Sequence, residues 1–281
     1  MQTLRWNENF TGISMAFSGR SSDNVVAHNQ AAWDKLAAQD CEWSRPVSAQ
    51  VIAAARQGDW SVRLIPDDLP RHWLGDVSGL DILCLASTGG QQAPILAAAG
   101  ATVTVLDASA RQLEQDRLVA VRDGLALSVI QGDMRDLSRF SDESFDLVFH
   151  PISNLYVPDL RPVWRECYRT LRKGGRVLAG FYNPIVFVGD RDTQWEEQAL
   201  IRPICKVPYA DTRDLDADQL DAKIMRGEAL VFGHGLTDQI GGQTESGFRI
   251  AGFAEARAPV PRFVIDRFLP TFIATLALKS H

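Results

Sequence analysis

The 281-residue sequence contains no uncharged apolar run approaching the roughly 18–20 residues that a bilayer span requires. It has no CxxC pair and no closely spaced histidine pair, with four cysteines and five histidines in all. A zinc site and a disulfide framework are therefore not expected. Cys41, Cys84, Cys167 and Cys205 lie far apart and read as reduced, mostly structural thiols. Positive charge is also short: 29 Lys and Arg against 35 Asp and Glu give a formal net charge of -6, which makes a phosphate backbone an unfavourable partner. The basic residues from Arg161 to Arg176 are spread along a helix-like stretch with Glu166 among them, the pattern of a solvated helix face. The first residues, MQTLRWNENF, lack a basic start followed by an apolar stretch and a small-residue cleavage site, so a cytoplasmic protein is expected. No internal repeat, low-complexity tract or GxGxxG turn is present.

What is present is an ordinary globular composition, 46% hydrophobic and 23% charged, enough for one large α/β core with decoration. Residues 1–76 read as an N-terminal helical arm or lid. Gly, Ser and Asn punctuate residues 11–24, Asn29–Ala38 and Ala49–Gln57 have helical composition, and Pro66 and Pro70 mark an irregular connection. From Asp81 short β-rich runs alternate with helical stretches, the pattern of a parallel sheet flanked by helices. The expected strands are Ile82–Leu85, Thr102–Leu106, Leu127–Gln131, Phe145–Phe149 and Arg176–Phe181, with helices near Ala93–Ala99, Ala110–Asp123 and Val163–Leu171. Three prolines and the acidic run Asp211–Asp221 interrupt this rhythm over residues 184–237, a cap insertion. The core, 77–183, resumes at 238–281 with a helix-like Asp238–Ser246 and β-rich Phe253–Ala258 and Thr271–Lys279.

Three segments placed in order carry the chemistry. The first expected strand runs into Ala86-Ser87-Thr88-Gly89-Gly90, a tight turn of small residues that lets backbone approach a ligand, although such turns are common without one. The second ends in Asp107, placed to accept hydrogen bonds from a ribose diol, or else to help Ser109 cap the following helix. The third ends in Gly132-Asp133-Met134, where the carboxylate suits an adenine amino group and the thioether suits its ring.

These segments, ILCLASTGGQQ, VTVLDAS and GDMRDL, together with FDLVFHPISNLYVPD and LRKGGRVLAGF, resemble class I S-adenosylmethionine-dependent methyltransferases of the ubiquinone/menaquinone-methyltransferase-like group, the methyltransferase type 11 domain. The resemblance is strongest over Ile82 to about Tyr182 and extends through GFRIAGFAEAR and LPTFIATLALK. It implies a Rossmann-like methyltransferase fold: a mostly parallel seven-stranded sheet flanked by helices, with a closing antiparallel strand and cap elements. It places Ala86 to Gly90 around the methionine part of S-adenosylmethionine, Asp107 and Ala108 at the ribose, and Gln112, Gly132, Asp133 and Met134 near the adenine. His150 falls close to the transferred methyl. Cys84, Ala86 and Thr88 stand where the commoner pattern has Asp, Gly and Gly.

The acceptor is expected to be a small molecule, with no nucleic-acid or membrane partner and no metal; oligomeric state is open. His150 is a candidate general base, or a hydrogen-bonded structural residue that orients the cofactor. Tyr156 is a second catalytic candidate, and Asn154, Tyr156, Tyr182, Trp33 and His234 are candidate acceptor contacts. Asp238, Gln239 and Gln243 suggest a lid contact. Two rivals stand beside this reading: a catalytically silent S-adenosylmethionine-binding domain, and an NAD-dependent oxidoreductase, whose ribose would suit Asp107 equally.

Overall fold

The computed structural model describes residues 22–67, 70–189, 195 and 197–280. The chain begins with α1 (Ser22–Ala38), α2 (Ala49–Arg56) and the short α3 (Arg71–Leu74). The alternating region is β1 (Asp81–Leu85), α4 (Gln92–Ala98), β2 (Thr102–Asp107), α5 (Ala110–Asp123), β3 (Leu127–Gln131), β4 (Phe145–His150), α6 (Arg161–Thr170) and β5 (Leu171–Tyr182). The insertion holds β6 (Tyr209–Ala210), α7 (Asp211–Asp214), α8 (Ala217–Met225) and β7 (Phe232–Gly233). A π turn (Thr237–Gly241), α9 (Gly242–Glu245), β8 (Arg249–Ala256) and β9 (Phe272–Leu278) complete the chain.

The main sheet has seven strands in the order β3-β2-β1-β4-β5-β9-β8. Strands β1 to β5 pair in parallel, and β9 runs antiparallel between β5 and β8. This is the expected fold class. Parallel strands covered on both faces read as unbroken apolar runs, and Ile82 to Leu85 are indeed fully buried. The pleat sends alternate residues to opposite faces. Ile82, Cys84, Val105 and Phe149 pack with Ile52 of α2 and Leu113 of α5, whereas Leu83, Leu85, Leu106 and Val148 pack with Val163, Trp164 and Cys167 of α6. Each buried aliphatic side chain of this kind stabilises the fold by roughly 1.5–3 kcal/mol.

Several expected boundaries move. Residue 171 belongs to β5 rather than to the preceding helix, because Leu171 pairs with Phe145 of β4. The last helix is a π turn followed by a single α-turn, with Gly242 pressed on Trp164. Strand β8 starts earlier than expected, at Arg249; it carries a register irregularity between Ile250 and Gly252 that hides its period from the sequence. Ile52, Ala55, Val62, Leu64, Ile65 and Trp73 share one buried cluster with the sheet. Residues 11–21 of the expected lid lie outside the described residues.

Successive crossovers carry the chain from β1 outward to β3 and then back to β4 on the other side of β1. The reversal opens a crevice at the carboxyl ends of β1 and β4, where open α/β sheets bind ligands.

Candidate functional site

A cavity of about 600 Å³ occupies this edge, within the size range of small-molecule sites. Three strand tips supply one wall: Ala86 and Thr88 after β1, Asp107, Ala108 and Gln112 after β2, and Gly132 to Met134 after β3. Ile152, Ser153 and Tyr156 after β4, Tyr182 at the end of β5 and Phe272 at the start of β9 form the other. Asn29 and Trp33 of α1 roof it, with Trp43, Ile65 and the segment from Ala258 to Arg262 closing the sides.

The turn after β1 is held from behind. The Gly89 N–H donates to Gln112 Oε1 and the Gly90 N–H donates to Asp116 Oδ1, both at 2.9 Å. A Cβ on Gly90 would lie 2.9 Å from Pro46 Cα, so the close approach of the 42–47 segment requires glycine there. Ala86 and Thr88 both take left-handed backbone conformations, with φ of 45° and 66°. Ser87 is buried beneath the turn, beside the Cys84 thiol.

Asp107 Oδ1 accepts the Ser109 N–H at 2.8 Å. Ser109 Oγ caps α5 by accepting the Gln112 N–H at 3.1 Å and donates to Asp34 Oδ1 of α1 at 2.6 Å. Asp107 thus lies at the cavity wall while Ser109 is the cap. Burial, with the Asp34 carboxylate adding to it, pushes the Asp107 carboxyl up to about 7. Asp133 is gripped by Arg135, whose Nη2 and Nε lie 2.6 and 2.9 Å from Oδ2.

On the other wall the Trp33 and Tyr156 rings meet edge to face at 5.1 Å, and burial pushes the Tyr156 phenol well up. Asn29 Nδ2 donates to Tyr156 O and to Leu230 O at 2.8 and 2.9 Å, and its Oδ1 accepts the Leu230 N–H at 2.7 Å. One buried amide therefore ties the roof helix to the Tyr156 loop and to the insertion. Tyr182 packs on Phe272, and the Arg262 guanidinium lies over both rings, at 4.8 and 4.7 Å.

The methyltransferase domain family model matches residues 83–179. Over 256 residues the chain is 47% identical to the uncharacterized methyltransferase YbaJ of Bacillus subtilis, covering 91% of this chain and 98% of that protein. The chain is a member of this methyltransferase family. A ubiquinone biosynthesis O-methyltransferase of Klebsiella pneumoniae is 30% identical over 109 residues, 39% of this chain and 45% of that protein. In fold the methyltransferase is similar to a Mesorhizobium loti S-adenosylmethionine dependent methyltransferase, with a TM-score of 0.56, 22% identity and coverage of 74% of this chain and 94% of that one.

The methyltransferase brings Ala86, Thr88, Asp107, Ala108, Gln112 and Gly132 to Met134 to one cavity with Trp33, Tyr156 and Tyr182. Other expected site residues fall elsewhere. His150 does not line the cavity. It shares the pleat face of Val148, lies fully buried edge to face with Trp164, and places Nδ1 3.4 Å from Leu85 O and Ser153 Oγ. Among the described residues Nε2 has no hydrogen-bond partner, and burial lowers the imidazole to about 4. Asn154 is buried and donates to Gln239 Oε1 at 2.7 Å; His234 Nε2 donates to Val157 O at 2.9 Å. Both support the Tyr156 loop from behind and neither lines the cavity. Ser87, Gly89 and Gly90 lie behind the wall, shaping the turn without facing the cavity. Among the described residues, 184–237 contribute no lining side chain, and Leu230 of the insertion bonds Asn29 of the roof helix. Asn29, Ile65, Arg262 and Phe272 are lining residues that the sequence reading missed; none sits in a recognisable local motif.

Proposed function

We propose that this methyltransferase transfers the methyl group of S-adenosylmethionine to a small-molecule acceptor by in-line displacement. The observation that carries it is the convergence of three consecutive strand tips, Ala86 and Thr88, Asp107, and Gly132 to Met134, on one wall of a single cavity.

The donor set fits the cofactor. Asp107 Oδ1 accepts the Ser109 N–H and the Ala108 N–H also bears on the carboxylate, whose remaining acceptor capacity suits ribose hydroxyls. Asp133 holds its place through Arg135, and each of its oxygens retains acceptor capacity toward an adenine amino group. A pyrophosphate fits poorly, because the Gly89 and Gly90 amides that would cradle it are already taken by Gln112 and Asp116. This argues against a dinucleotide.

When bound, the sulfonium supplies an activated methyl group that an aligned nucleophile can take. The chain's own contribution is positioning and exclusion of water, since Tyr156 stays protonated at neutral pH and His150 faces away. Trp33 and Tyr156 close the acceptor space from above, and Ile65, Ile152 and Phe272 keep it apolar. A small acceptor is supported by the partial relatives, whose names concern ubiquinone biosynthesis and sterols. All four cysteines are free, which supports a reducing compartment such as the cytoplasm.

Calorimetric titration with S-adenosylmethionine, S-adenosylhomocysteine and NAD tests the reading: saturable binding of the first two and none of the third is expected. Binding of NAD alone would sink it. Methyl-labelled S-adenosylmethionine incubated with metabolite extracts should then yield a labelled small molecule by mass; binding without any labelled product would favour a silent domain.

A further inference from the structure

The cavity carries a feature that methyl transfer itself does not require. Arg262 stands at the wall opposite Asp107, between the end of β8 and the start of β9, with its side chain about 35% exposed. Its guanidinium is fixed on three sides. It lies over Tyr182 and Phe272, and Nη1 donates to Tyr182 Oη at 2.7 Å. Nε lies 3.6 Å from Asp266 Oδ2, an ion pair without a hydrogen bond.

Asp266 does not close this fork. Its Oδ2 accepts the N–H groups of Arg262 and Phe263 at 2.8 and 3.0 Å, and its Oδ1 accepts the Thr271 hydroxyl. Arg262 Nη2 has no hydrogen bond among the described residues. The Tyr182 phenol, having accepted from Nη1, keeps its own proton to donate. Two donors with hydrogen-bonding capacity left thus stand on a wall whose other lining side chains include the apolar Ile65, Ile152 and Phe272. A guanidinium prepositioned on aromatic faces with an open Nη2 is the geometry that recognises a carboxylate.

We propose that Arg262 and Tyr182 form the anion anchor of the acceptor subsite, and that the acceptor is an amphipathic monoanion with a compact apolar body and one carboxylate. The inference rests on the methyl-transfer reading. A dianionic phosphate fits less well, since the second cavity arginine, Arg63, is exposed at the rim and the chain is net negative.

The test measures binding of benzoate, phenylpropanoate and octanoate to the full chain saturated with S-adenosylhomocysteine. Each acid is compared with its primary amide and with the phosphate monoester of the corresponding alcohol. At least one acid is expected to bind about ten-fold or more tightly than its amide and its phosphate counterpart. Arg262→Gln should erase the acid preference without changing S-adenosylhomocysteine affinity, Arg262→Lys should keep part of it, Tyr182→Phe should weaken it, and Arg63→Gln should leave it intact. Wild-type protein that binds no acid, binds acid and amide equally, or prefers the phosphates overturns the proposal whether or not the variants fold. So does an Arg262→Gln protein that keeps the preference. Failure of wild type to bind S-adenosylhomocysteine at all would instead strike the methyl-transfer reading.

Discussion

The two walls of the cavity are built in different ways. The wall at β1, β2 and β3 comes from one continuous stretch in which the first two strand tips lie within a few positions of a helix start, as Asp107 precedes the Ser109 cap of α5, and the third leads into turns. The opposite wall is assembled from segments far apart in the chain. Asn29 bonds Leu230 across 201 residues, and Arg262 bonds Tyr182 across 80. Strand-tip units set most of the first wall, with ties from Asp34 and Pro46 behind it, and the second rests on tertiary packing. Cofactor recognition should therefore be insensitive to lesions in the roof, whereas acceptor recognition should depend on contacts that no single element contains.

Removing Asp107 gives the largest expected effect. Asp107→Ala deletes the carboxylate that the proposed reading assigns to the ribose, and S-adenosylmethionine affinity should fall by about 100-fold in calorimetry. An affinity unchanged within a factor of two would remove Asp107 from the site and with it the division between the walls. Next comes Asn29→Ala, which strands three buried backbone groups at Tyr156 and Leu230. A destabilisation of about 2–3 kcal/mol is expected in denaturant unfolding. Acceptor turnover should suffer with it, while S-adenosylhomocysteine affinity moves less than about three-fold. Equal losses on both walls would break the comparison.

The wall that depends on Asp107 should also answer to pH. Its carboxyl titrates at about 7 in the ligand-free fold, and a ribose diol is best held by the ionised form. Cofactor affinity should rise with pH toward neutrality and level off above 7, losing up to about ten-fold per unit below it. Asp107→Asn should flatten that profile. The same group lowers stability as pH rises, because between about 4 and 7 the ligand-free fold holds a proton that the unfolded chain, with its pKa near 3.9, has released.

Legibility in the sequence followed the same division. Strands β1 and β4 are readable because burial on both faces leaves nearly unbroken apolar runs, β2 and the edge strand β3 by their β-branched residues between helix and turn signals, and Asp107 because it closes β2. Asp133 was readable by position, although its Arg135 clamp was not. His150 shows the limit of position alone: expected just after a strand ending at Phe149, it is the last residue of β4, and the pleat phase that places it with Val148 turns it toward Trp164, outside the cavity lining. Asn29 and Arg262 were illegible because their meaning lies in partners remote in sequence. The proline-broken insertion reads as an interruption, yet its bracing role rests on contacts remote in sequence: Asn29 with Leu230, His28 with Glu228 O, Lys35 with Arg226 O, and Val25 packed with Leu230 and Phe232.

The smallest expected effect concerns the turn after β1, where the two departures from the commoner glycine pattern sit. Ala86 and Thr88 hold left-handed φ values that cost a residue with a Cβ about 1 kcal/mol, and a β-branched threonine is rare there. The conformation persists because the following Gly89 and Gly90 amides are pinned by Gln112 and Asp116, which leaves the chain no relaxed path through the turn. Thr88→Gly should therefore raise stability by about 1 kcal/mol, read as a melting temperature some 2–4 °C higher. The pins survive the substitution, so S-adenosylhomocysteine affinity should change less than about two-fold. A clear loss of affinity in a stabilised Thr88→Gly protein would mean that the threonine side chain itself touches the ligand, and the first wall would then depend on more than backbone shape at the very position where its sequence departs from the common pattern.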